Sequence, residues 1–382
     1  MRDLFLLDPD LIFLNHGSFG AVPKRVFDAQ CRWLMEMERN PVAFLARRSA
    51  ALLADARAQL GQAMGAQVED IVFLANATTG VSLVAHSLAL APGDEILTTD
   101  LEYGACDAAW EHVCAQRGAR YRRIAIPLPY EPDSVVARLR AAVGPRTRLI
   151  CLSHITSATA LILPVSEVCA MARAQGVLTL IDGAHAPGQI DLNLQSVGAD
   201  FYVGNCHKWL CAPKGAAFLY ARGEHQAMLD APVISWGYAP HAAEDLSAQA
   251  FLGKTPFERR MQWQGTRDVS AWLSVPEALR FLAEHDWPSV RARCHALAEE
   301  ALEALTRRHG LQPISGPQHW AQMVAIPVPP QNAPALQQRL LNESGIEVPV
   351  TTHGDQVFVR VSVQAYNSPE DIEALLNAPA LR

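Results

Sequence analysis

From about residue 70 to 220, short runs of β-branched and aromatic residues alternate with stretches whose apolar positions recur at helical spacing. Unbroken apolar runs of a few residues predict buried strands, and recurrence every three to four residues predicts helices. Strands are predicted at Ile71–Leu74, Glu95–Thr98, Tyr121–Ile126, Leu149–Ser153, Val177–Ile181, Phe201–Val203 and Gly215–Leu219. Helices are predicted at Thr79–Leu90, Cys106–Arg117, Asp133–Val143 and Ser166–Gln175. In the first of these, Val81, Val84, Ala85 and Leu88 share one face. Strands alternating with helices imply an α/β fold with a mostly parallel central sheet and helices on both faces. Ligands of such sheets sit at the carboxyl ends of the strands.

The pattern then changes. Tyr220–Pro256 reads as irregular and ends in the connection GKTPF. Beyond it come two helical stretches, Val269–Glu284 and Pro288–Arg308, and then two strands, Met323–Pro327 and Gln356–Val363, around a helix at Ala333–Ser344. That reads as a smaller C-terminal α+β domain. The predicted division is an N-terminal segment 1–20, a large domain 21–255 and a small domain 256–382, with the first segment free to pack against either.

Composition narrows the functional classes. The chain has 382 residues, of which 50% are hydrophobic, enough for a sizeable core. Lys+Arg 32 against Asp+Glu 39 gives a net charge of −7, which disfavours nucleic acid as a partner. The best apolar run, Gly80 to Ala91, is shorter than a membrane span and contains His86. The opening MRDLFLLDPD turns acidic at Asp8 before any signal-like stretch is complete. Eight cysteines without a CxxC pair fit a cytoplasmic protein with reduced thiols.

Three segments carry candidate chemistry. In VLTLIDGAH (177–185) an apolar strand ends in Asp182, facing the ligand side of the sheet or capping a helix. In Asp200–Tyr220, Lys208 lies among Cys206, His207, Trp209, Leu210 and Cys211, and such partial burial lowers an amine's pKa. In LANATTGVS (74–82), Asn76, Thr78 and Thr79 sit where a strand feeds a helix, an anion site or simply a cap provided by Thr78. A phosphate cradle, an acid at a strand end and a lysine 26 residues later are together what pyridoxal 5'-phosphate requires.

The motifs NATTG (76–80), LSHITSATALILPV (152–165), DGAHAPGQ (182–189), NCHKWLCAPKG (205–215), QGTRD (264–268) and VRVSVQAYNSPEDI (359–372) resemble the class V aminotransferase-like group of fold-type I pyridoxal-phosphate enzymes. FLNHGSFGAVP (13–23) and SHITSATA are most similar to its isopenicillin N epimerase-like members. The resemblance implies that Lys208 forms the internal aldimine and Asp182 pairs with the pyridinium, with His185 beside it supporting the ring. It implies phosphate contacts from Ala77, Thr78 and His207, and from Thr266 of a neighbouring subunit, hence a homodimer with active sites at the interface. Tyr103 matches the position that stacks on the ring, Ser157 the one near the cofactor's phenolic oxygen, and Arg360 the arginine that grips the substrate α-carboxylate. Asn15 and His16 fall in a segment similar to the family's active-site entrance.

The expected function is therefore an enzyme acting at the Cα of a small amino-acid substrate, epimerase-like, with a β-elimination lyase or an aminotransferase as alternatives. Cysteine desulfurase activity is disfavoured, because Ser344–Val359 carries no cysteine before Arg360. A non-catalytic binding protein is disfavoured by the intact Lys208, Asp182 and Arg360 set, and a transcription factor by the lack of a basic patch. CHKWLC (206–211) lacks the usual spacing of a zinc pair, and no metal is expected. His86, His112 and His154 read as core or surface residues, and Trp33, Trp209, Trp236 and Trp263 as core. Arg47 and Arg48 read as a helix surface or as binders of a second carboxylate.

Overall fold

The structure is a computed structural model describing residues 1–239 and 250–382. Positions 240–249, inside the stretch expected to be irregular, lie outside the described residues. The strands are, in chain order, β1 (Ile12–Phe13), β2 (Ile71–Leu74), β3 (Glu95–Thr99), β4 (Arg120–Ile124), β5 (Thr147–Ser153), β6 (Leu178–Gly183), β7 (Phe201–Asn205), β8 (Ala217–Ala221), β9 (Met323–Val328), β10 (Ile346–Glu347), β11 (Val350–His353) and β12 (Gln356–Ser362).

Seven of them form the central sheet in the order β2-β8-β7-β6-β5-β3-β4. Only β8 runs antiparallel to its neighbours; the remaining pairs are parallel. The expected α/β fold with a mostly parallel sheet is therefore correct. Its strands are unbroken apolar runs where helices cover both faces: every residue of the inner β7 and β8, and of β2 at one edge, is buried. At the edge, β4 (RYRRI) is half exposed, and its arginines discourage pairing with another chain.

All seven expected central strands are present, with ends shifted by a few residues. The first helix after β2 is Ala77–Ser87, because Asn76 and not Thr78 caps it, its side chain accepting from the Thr79 amide at 2.8 Å. The helix expected over Val269–Glu284 is two, Ser270–Leu273 and Val275–Glu284. Pro276 has no amide hydrogen to continue the first and suits the opening turn of the second.

A separate antiparallel sheet, β11-β12-β9, packs against the helix Trp287–His309. The N-terminal segment contacts both parts of the chain. Its β1 pairs in parallel with β10, and the Ser362 amide donates to the Leu14 carbonyl. His16 then reaches the large sheet and hydrogen-bonds the Lys208 carbonyl at 3.0 Å. Gly20, at φ +71°, brings backbone so close to the His207 carbonyl that a Cβ would collide with it.

Candidate active site

The carboxyl ends of β5, β6 and β7 and the start of the helix Ala77–Ser87 meet around a cavity of about 350 Å3. Asp182 enters it as the penultimate residue of β6. No helix begins there; the next is Leu194–Val197, so the alternative of a helix cap is overturned. The Oδ1 of Asp182 accepts from the Ala184 amide at 2.9 Å and its Oδ2 from the Cys106 thiol at 3.2 Å. Burial raises the carboxyl's pKa, and the two donors and Lys208 pull against that rise. Behind it, Gly183 must be glycine, because a Cβ would collide with the ring of Tyr202.

Lys208 sits in the turn after β7. Its carbonyl accepts from the Cys211 amide at 2.9 Å as well as from His16, and Cys211 closes the turn in the left-handed region at φ +59°. The Lys208 amine lies 3.1 Å from Nε2 of His185. Burial, and then the charge of Arg360, lower the amine's pKa to about 7. Burial, and then Lys208 and Arg360, push His185 well below its ordinary value and keep it neutral.

Arg360 on β12 is buried behind the cavity wall. It donates to the Ser157 carbonyl at 2.6 Å and to the Ser18 hydroxyl at 3.1 Å. Its Nε has no partner among the described residues, and burial lowers its pKa to about 10.

At the helix start, the Ala77 amide is already held by the Asn205 side chain at 2.9 Å. The Thr79 amide goes to Asn76, which leaves the Thr78 amide without an acceptor among the described residues. His207 gives its Nδ1 hydrogen to the Ala216 carbonyl at 3.1 Å, so Nε2 is the nitrogen left to meet a ligand. Tyr103, 47% exposed, forms one wall, and Ser157 another.

The cavity thus gathers Ala77, Thr78, Tyr103, Ser157, Asp182, His185, His207 and Lys208. The other candidates lie outside its lining. His16 does not line the cavity: it is fully buried, with Nδ1 beside the Tyr366 hydroxyl at 3.0 Å and Nε2 on the Lys208 carbonyl. Asn15 reaches the cavity only through Ser18, whose hydroxyl donates to it at 2.5 Å. Thr266 is exposed and outside its own chain's cavity. Arg47 and Arg48 are exposed, and Arg48 pairs with Glu36 at 2.6 Å. Trp236, expected in the core, is 67% exposed.

The lining residues not anticipated include Ser18, Phe19, Ser153 and Asn205. Asn205 and Ser153 carried a usable signal, since each is a polar residue ending an apolar strand. Glu102 accepts from the Ser153 amide and hydroxyl at 2.7 and 2.6 Å. Burial raises its pKa to about 7.

The donor set fits pyridoxal 5'-phosphate. A depressed lysine amine suits its aldehyde, a buried carboxylate its ring nitrogen, and the free Thr78 amide at a helix start its phosphate. A reactive amine and an acid turned into one cavity, with the Arg360 guanidinium buried behind its wall, define the site of an enzyme. The chain belongs to the class V aminotransferase family, which it matches over residues 12–375. Among similar proteins, isopenicillin N epimerase of Amycolatopsis lactamdurans is 39% identical, covering 99% of this chain and 96% of that protein. A probable chloroplastic L-cysteine desulfhydrase of Arabidopsis thaliana is 29% identical, covering 97% and 82%. An apo cysteine desulfurase from Thermococcus onnurineus NA1 shares the fold at TM-score 0.81 and 21% identity, covering 98% of this chain and 95% of that one.

Proposed function

We propose that this protein is a pyridoxal-phosphate enzyme that moves the Cα proton of an amino acid, with epimerisation as the outcome. The observation that carries the reading is Lys208, a lowered-pKa amine 3.1 Å from a neutral His185 in one cavity with Asp182. When bound, pyridoxal phosphate supplies a ring that takes up negative charge from Cα. Lys208 holds the cofactor and then takes the Cα proton on its amine. Asp182 keeps a proton on the ring nitrogen. Thr78 and His207 would hold the phosphate beside Ala77, whose own amide Asn205 keeps, and Thr266 of a second copy in a homodimer would join them. Tyr103 would cover the ring, Ser157 would lie on the side of its phenolic oxygen, and Arg360 would turn from Ser157 and Ser18 to grip the substrate carboxylate.

Full-length identity of 39% to an epimerase supports the stereochemical outcome. A β-elimination lyase stands second, supported by the L-cysteine desulfhydrase relatives. All eight cysteines are unpaired, which supports a cytoplasmic setting. Proton NMR in heavy water, with a panel of L- and D-amino acids, separates the two reactions. Exchange at Cα with the carbon skeleton intact and chirality lost supports the epimerase. Release of pyruvate with a thiol would retire it in favour of the lyase.

Two further results are expected. Arg360→Ala raises KM far more than it lowers kcat, with kcat/KM falling about 100-fold, the usual loss when a charged hydrogen-bond partner disappears. Arg360→Lys recovers little, because an ammonium cannot reproduce the planar fork. Reconstitution of apo-protein with pyridoxal phosphate, followed by visible absorption, accelerates as pH rises through about 7. Below that value Lys208 is protonated and cannot attack; above it the free amine predominates. A lysine with the ordinary value of 10.5 would instead keep accelerating into the alkaline range.

A further inference from the structure

Trp209 follows the cavity lysine and is completely buried, its ring 5.0 Å from that of His16. Its indole nitrogen donates to Nδ1 of His185 at 3.3 Å. The other ring nitrogen of that histidine, Nε2, lies 3.1 Å from the Lys208 amine. An indole N–H is a donor and never an acceptor, so Nδ1 must offer a lone pair. In a neutral ring the single hydrogen then sits on Nε2, where it points at the lysine nitrogen.

We propose that Trp209 is a positioning residue that locks His185 in its Nε2–H tautomer, so that the histidine meets Lys208 as a hydrogen-bond donor. The two tautomers have opposite effects on the lysine. With hydrogen on Nδ1, the Nε2 lone pair would accept from an ammonium and favour the charged lysine. With hydrogen on Nε2, only a free amine can accept, so the pair favours the base form. His185 is further held by Gln189, whose side-chain amide donates to the His185 carbonyl at 2.7 Å. Trp209 therefore governs the side chain and Gln189 the backbone.

The consequence for turnover rests on the reading of Lys208 as the base; the tautomer itself does not. The test is nitrogen NMR of the holoenzyme carrying 15N-histidine, with His185→Gln to identify the signals. The wild type should show a protonated Nε2 and a bare Nδ1 at His185. In Trp209→Phe the ring should lose that fixed pattern, with kcat down about tenfold, the scale of one hydrogen bond, and KM within about twofold. Replacing Trp209 with its benzothiophene isostere removes the N–H while keeping the shape, and should give the same shift even where phenylalanine disturbs packing. In the His185→Leu background, Trp209→Phe should lower kcat less than about twofold. A hydrogen on Nδ1 in the wild type, or an unchanged Nε2–H pattern in the isostere, would overturn the proposal. A fixed tautomer in a protein that exchanges no Cα proton would instead overturn the functional reading and leave this one standing.

Discussion

Lys208→Ala loses the visible band of the lysine-bound cofactor, and its turnover falls by about 10^4-fold, the upper range for removing a general base. The fold should survive. The backbone of Lys208 holds the turn through its carbonyl, which accepts from Cys211 and His16, and alanine keeps that carbonyl. Removing a buried amine with a depressed pKa also removes a desolvation cost, so the variant should melt no lower than the wild-type apo-protein. The sign follows from linkage. The native state lowers the amine's pKa from 10.5 to about 7, so the unfolded chain binds the extra proton between those values. The penalty is fully present below pH 7 and fades towards 10.5, so the melting advantage of Lys208→Ala should shrink as pH rises. Absorption spectra, kinetics and thermal melts at several pH values check all three expectations.

Asp182→Asn is the second large effect. The amide keeps the shape and can still accept from the Ala184 amide, so the sheet and cavity should be unchanged. The charge that holds a proton on the ring nitrogen is gone. Removing a preorganised electrostatic partner of this kind lowers kcat by about 10^2- to 10^3-fold. Cofactor binding should weaken much less, because the phosphate contacts and Lys208 remain. A variant whose kcat stays within about threefold of wild type would place the ring nitrogen elsewhere.

Much of this site was readable in the sequence because a parallel sheet exposes its chemistry at one end. Strands covered on both faces, such as FYVGN and AFLYA, leave unbroken apolar runs. A polar residue that ends such a run faces the ligand side, as Asp182 does. Lys208 was legible from its apolar neighbours. What escaped was set by partners distant in sequence. His16 looked like an entrance residue, yet its ring is taken by Tyr366, 350 positions away, and by the Lys208 carbonyl. Trp209 looked like plain core because nothing local shows that its N–H meets His185. The strand β11 reads VTTH, too short and polar for a period to show; pairing with β12 creates it. The break before Val275 was foreshadowed by Pro276, which an apolar period alone does not weigh.

The chain contains four lysines, Lys24, Lys208, Lys214 and Lys254, and only Lys208 lines the cavity. The most direct test is therefore covalent. The protein is loaded with pyridoxal phosphate, reduced with borohydride and digested, and the peptides are sequenced by mass spectrometry. The account predicts one phosphopyridoxyl group per chain, on Lys208. A mark on Lys24, Lys214 or Lys254 in its place, or no mark at all, would contradict it.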